Sequence, residues 1–65
     1  MSIRSEIAEL FTHFSHNDAN VVNGKMDWDF VDADIMMHLG VDRIIEEMGS
    51  ISEYYTLFNS LVEAV

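Results

Sequence analysis

Residues 50–65 read Ser-Ile-Ser-Glu-Tyr-Tyr-Thr-Leu-Phe-Asn-Ser-Leu-Val-Glu-Ala-Val, and their period decides the class of the whole chain. Ile51, Tyr54, Tyr55, Phe58, Leu61, Val62 and Val65 follow one another at intervals of three, one, three, three, one and three. A helix that turns once in ~3.6 residues gathers such positions on a single face. Ser50 and Glu53 stand at capping-box spacing, where a serine hydroxyl accepts from a free amide of the first turn and a glutamate carboxylate accepts from the serine amide. A helix over about 51–64 with one apolar stripe follows. Tyr54 and Tyr55 are neighbours, so their side chains diverge by about 100° and only one reaches the centre of a core.

Working back from this segment, Gly49 ends a shorter helix over about 42–48, whose face carries Val41, Ile44, Ile45 and Met48. Residues 29–39 form the next helix. Gly40 takes the positive-φ position beyond its end, and Asp27 or Asp29 caps its start. At the other end of the chain, Ile3, Ile7, Leu10, Phe11 and Phe14 make one stripe over about 3–14. Arg4, Glu6, Glu9 and His13 fall away from it, and Ser2 is placed to cap it. Residues 15–28 have no helical period. Asn23-Gly24 between Val21-Val22 and Lys25-Met26 is a type I′ turn signal, but an isolated two-stranded ribbon is weak in water. An irregular loop or a minimal hairpin lying on helices is expected there. The predicted fold is all-α: a small bundle of about four short helices in one compact domain, residues 1–65, without repeats, linkers or proline.

The helix at 29–39 differs from the others. Val31, Ile35 and Leu39 cluster on one side, while Phe30, Ala33, Met36 and Met37 cluster on another, with Asp32 and Asp34 on the borders. A helix that is apolar on two sides needs cover on two sides. Either it lies at the centre of the bundle, or its second stripe meets a copy of the chain or another protein. Sixty-five residues form a small core that hides only about 60% of the unfolded surface, and no cysteine is present to staple it. Both facts favour self-association, so a homodimer is expected. Met36 and Met37 suit an adaptable contact, although methionine also fills cores. Trp28, at the entry to this helix, reads as a lid on the core or as an interface anchor. The expected contact set is therefore Trp28, Phe30, Ala33, Met36, Met37, Tyr54 and Tyr55.

Charge narrows the class of partner. Twelve acids face only Arg4, Lys25 and Arg43, a formal net charge of -9. Such a surface repels nucleic acid and anionic lipid and attracts basic surfaces. The apolar share of 49% is too high for a disordered acidic tail. Asp27, Asp29, Asp32 and Asp34 form the densest acidic group, an acidic surface that could present phosphate-like charge to a DNA-binding protein. Position at a helix start also favours these acids through the macrodipole, by ~0.3–1 kcal/mol each. That effect leaves unexplained the near absence of Lys and Arg at helix ends. No apolar run has signal-peptide length, and none approaches the ~20 residues of a membrane span. A soluble cytoplasmic protein that binds neither membrane nor nucleic acid directly is expected.

Metal and catalytic readings are thinner. Residues 18–29 superficially resemble a calcium loop, but with Gly24 at the invariant glycine the first, third and twelfth positions fall on Ala19, Val21 and Phe30, which cannot coordinate, and only Asn23 and Asp27 would fit. His13, His16 and Asp18 could hold a transition metal if the helix continued past Phe14; His38 reads as a partner for a helix C-terminus. There is no cysteine nucleophile, phosphate loop or catalytic motif with fixed geometry. No enzyme activity and no cofactor are expected. The composition points to a small acidic protein-interaction module acting on a protein partner in an accessory or regulatory role. By size and charge alone it is similar to accessory proteins of phages and other mobile elements. An acidic nucleic-acid mimic and a small metal-responsive protein are the alternatives.

Overall fold

The computed structural model describes residues 2–65. Its helices are α1 (Ile3–Ser15), α2 (Trp28–Leu39), α3 (Val41–Met48) and α4 (Ile51–Glu63). Between α1 and α2 lie a 3₁₀ turn (Asp18–Asn20) and a ribbon of β1 (Val21–Val22) and β2 (Lys25–Met26). The fold is the all-α bundle the periods imply.

Three helices start where a short polar side chain replaces a missing carbonyl. Ser2 Oγ accepts from the Ser5 amide at 3.2 Å, and Ser50 Oγ from the Glu53 amide at 3.3 Å. Asp27 Oδ1 accepts from the amides of Asp29 (3.0 Å) and Phe30 (3.4 Å), which starts α2 at Trp28, one residue earlier than its period suggests. The expected capping box is only half made, because the Glu53 carboxylate turns to Arg4, 3.6 Å away. Gly40 both ends α2 and begins α3. Its amide donates to the Met36 carbonyl (2.8 Å) while its carbonyl accepts from the Ile44 amide (3.1 Å). The backbone there has φ 89° and ψ 131°, a conformation strained for any residue with a Cβ. One glycine thus turns the chain between two helices.

The ribbon pairs Val21 with Met26 and Val22 with Lys25 in antiparallel register. Asn23 (φ 53°) and Gly24 (φ 78°) close it, and positive φ at both turn positions marks the type I′ turn.

The core consists of Ile3, Ile7 and Phe11 from α1, Val31 and Ile35 from α2, Ile44 from α3, and Tyr54 and Phe58 from α4. α1 packs against each of the other three helices. α1 brings its stripe of Ile3, Ile7 and Phe11, widened by the half-buried Leu10 and Phe14, while α2 meets α1 and α3 on its inner side and α4 through Asp32. Phe11 stacks on Trp28 (centroids 5.4 Å, planes 4° apart) and meets Phe58 edge-on at 5.6 Å. Those two geometries are the ones aromatic quadrupoles favour, and they seat Trp28 as a lid over the core. Among the described residues no helix is long and apolar enough to cross a membrane.

Candidate docking face on the second helix

The four acids of residues 27–34 point to different tasks. Asp27 is spent on the cap of α2. Asp32 sits under α4, where the Tyr54 phenol donates to its Oδ1 at 2.8 Å and the Tyr55 phenol donates to its Oδ2 at 3.0 Å. Burial above all, and then the bond to Asp32, push the Tyr54 phenol far above its ordinary range. The same causes, in the same order, raise Tyr55. Both phenols therefore remain neutral donors at ordinary pH, and one carboxylate clamps adjacent tyrosines. Tyr54 is the ring in the core and Tyr55 the one at the rim.

Asp34 Oδ2 accepts from Asn20 Nδ2 at 3.2 Å, and the same amide donates to the Phe14 carbonyl at 3.1 Å. Asn20 is buried, at 6% exposure, and its carbonyl accepts from the Asp27 amide at 2.8 Å. It joins the end of α1, the 3₁₀ turn and the start and middle of α2. Reading the sequence assigned it no role, because an asparagine in a segment without period is equally explained by turn chemistry. Of the acidic group, Asp29 alone lies on the open surface without a hydrogen bond from its carboxylate to the fold, among the described residues.

The expected contact residues divide in the same way. Trp28 is half-buried under the stack with Phe11, Met36 packs on the core, and Tyr54 is fully enclosed. Tyr55 is exposed at the rim but held to Asp32. Phe30, Ala33 and Met37 remain. They lie on one face of α2, with Phe30 52% and Met37 84% exposed, opposite Val31 and Ile35 at 0%. By the ~100° turn per residue of an α-helix, Asp29 and Asp34 flank this row about 70° to either side. The row is short, apolar, open to solvent and edged by carboxylates.

Surface hollows lie beside these residues. One, of about 380 Å³, lies beside the ribbon and is lined by Val22, Lys25, Met26, Asp27, Trp28 and Asp29. Another, of about 150 Å³, is lined by Glu6, Glu9, Leu10, His38 and Leu39. His16 Nδ1 lies 2.6 Å from the Thr12 carbonyl, and the His13 ring meets Phe14 edge-on at 5.1 Å. Among the described residues no three His, Asp or Glu side chains converge as metal ligands would, so His13, His16 and Asp18 are not brought together. Comparison with family models, with curated proteins and with solved structures finds no match to the chain.

Proposed function

We propose that this chain is a small acidic protein-interaction module that docks on a protein partner through the outer face of α2 and acts by occupancy rather than by chemistry. The observation that carries the reading is the exposure of Met37 (84%) and Phe30 (52%) on a helix whose inner side seats Val31 and Ile35 in the core. Apolar groups scattered singly over a surface need no explanation, but a row on one helix face edged by polar groups is the form contact sites take. Burial of such a row gains ~25 cal/mol per Å² of apolar area, and packing among the described residues leaves most of Met37 and half of Phe30 in water. The acids favour this reading over mimicry of a nucleic acid. Asp27, Asp32 and Asp34 each bind the fold's own donors, so the run from Asp27 to Asp34 does not present four free carboxylates as a phosphate-like array.

The test places a photo-crosslinking phenylalanine analogue at position 37, and separately at the exposed Asn59 on α4. In the native lysate, position 37 should give one discrete adduct that position 59 does not. No adduct at position 37, or the same adducts from both positions, would remove the docking face.

A further inference from the structure

We infer that the occupant of the α2 face is a basic amphipathic helix of another protein, not a second copy of this chain. The inference rests on the docking reading above and names the chemistry of the partner. It starts from how the fold spends its few cations. Arg4 pairs with Glu53, and Arg43 pairs with both Glu6 and Glu47. The hydrogen bond to Glu47 foremost raises the Arg43 guanidinium above its ordinary value, so it stays a committed cation. Of the three basic residues only Lys25 lies outside these bridges, and it stands on the ribbon. Of the twelve acids, three sit in those bridges and nine do not.

A twofold contact brings a patch against itself. On α2 that would set the Asp29 and Asp34 edges of one copy against the same edges of the other. The helix, Trp-Asp-Phe-Val-Asp-Ala-Asp-Ile-Met-Met-His-Leu, contains no Lys or Arg to answer them. Like charges facing across a contact oppose it, whereas a partner with Lys or Arg on both shoulders turns the same edges into attraction. Size points the same way. From Phe30 to Met37 the row is only ~10 Å long at the α-helical rise. A standard interface covers ~800 Å² on each partner, roughly a fifth of the 4302 Å² surface of this chain. A row this short falls well below that, but it matches one helix laid along another.

The geometry then sets the partner's pattern. Ala33, between Phe30 and Met37, lets a second helix axis approach to the ~8–10 Å usual for packed helices. Apolar side chains at helical spacing would interlock with Phe30 and Met37, and flanking cations would reach Asp29 and Asp34. Asn20 uses only Oδ2 of Asp34, and among the described residues no hydrogen bond reaches its other oxygen.

The test uses the full chain and a fluorescein-labelled synthetic peptide of about five helical turns, with Leu on one stripe and Lys elsewhere. Its two controls are the same stripe with Glu in place of Lys, and a Lys/Leu scramble without a stripe. Fluorescence anisotropy should show binding of the Lys amphipath alone, weakening between ~0.05 and ~0.3 M salt as screening shortens. Met37→Ser should weaken it at least about tenfold with melting unchanged, and Asp29→Asn about threefold with at most the few degrees of lowered melting that its place in the first turn of α2 implies. Equal binding of the Glu peptide or the scramble, or full affinity in Met37→Ser, would overturn the proposal. So would sedimentation of the free chain as a dimer that Met37→Ser dissociates, since a second copy would then cover the face. A discrete adduct at position 37 with no peptide binding removes the basic partner but keeps the docking face. Absence of any adduct removes the face itself.

Discussion

Replacing Tyr54 by Phe deletes one oxygen and leaves the ring in place, stacked on Phe58 at 5.9 Å with planes 26° apart. The variant therefore isolates the 2.8 Å bond to Asp32. A hydrogen bond to a charged acceptor is worth ~1.5–3 kcal/mol net. Asp32 is half-buried and keeps the Tyr55 phenol at 3.0 Å, which places the loss at the lower end, ~1–2 kcal/mol. For a domain this small each kcal/mol moves the midpoint by roughly 4–8 °C, so Tm should fall by roughly 5–15 °C in circular dichroism melts. Tyr55→Phe removes a bond from an exposed phenol and should cost no more than ~0.5 kcal/mol. A cycle with Asp32→Asn adds a second measurement: once Asp32 is neutral, Tyr54→Phe should cost clearly less. A Tyr54→Phe melt within ~1 °C of the parent, or strict additivity in the cycle, would refute the clamp.

The same clamp makes alkaline stability a readout. Burial first, and Asp32 second, hold the folded Tyr54 phenol above its ordinary 10.0, so the unfolded chain releases its proton first. The stabilisation is complete below that value and is lost as pH rises beyond it. The urea midpoint should therefore fall between about pH 8 and pH 11, and fall less in Tyr54→Phe, which shares the general repulsion of an acidic chain but lacks this proton. Equal slopes in the two proteins would contradict it. Asn20→Ala should destabilise by ~1–3 kcal/mol, since it strips donors from the Phe14 carbonyl and from Asp34 in a partly buried setting. Hydrogen exchange should then quicken in the ribbon and the first turns of α2 before the rest of the bundle, and uniform quickening would argue against a local role.

What could be read along the chain is what depends on neighbours three or four residues apart. The four helices, the Ser2 and Ser50 caps and the turn at Asn23-Gly24 follow from spacing and backbone preference, with no knowledge of the packing, whereas the sequence leaves Asp27 and Asp29 as alternatives for the cap that the structure gives to Asp27. The divergence of Tyr54 and Tyr55 follows likewise, although which ring faces inward does not. The second apolar stripe on a helix that already has one, Phe30, Ala33, Met36 and Met37, is legible in the sequence, but only Phe30, Ala33 and Met37 of it lie open. Tertiary packing decided the rest. Asp32 meets Tyr54 across 22 positions and Asp34 meets Asn20 across 14, so a run of acids that looks uniform in sequence is divided among a cap, a clamp and a loop anchor. Packing also drew Met36 toward the core while leaving Met37 in water. Two adjacent methionines have the same chemistry, and only the position of the neighbouring helices distinguishes the face that gains from burial from the face that is left open.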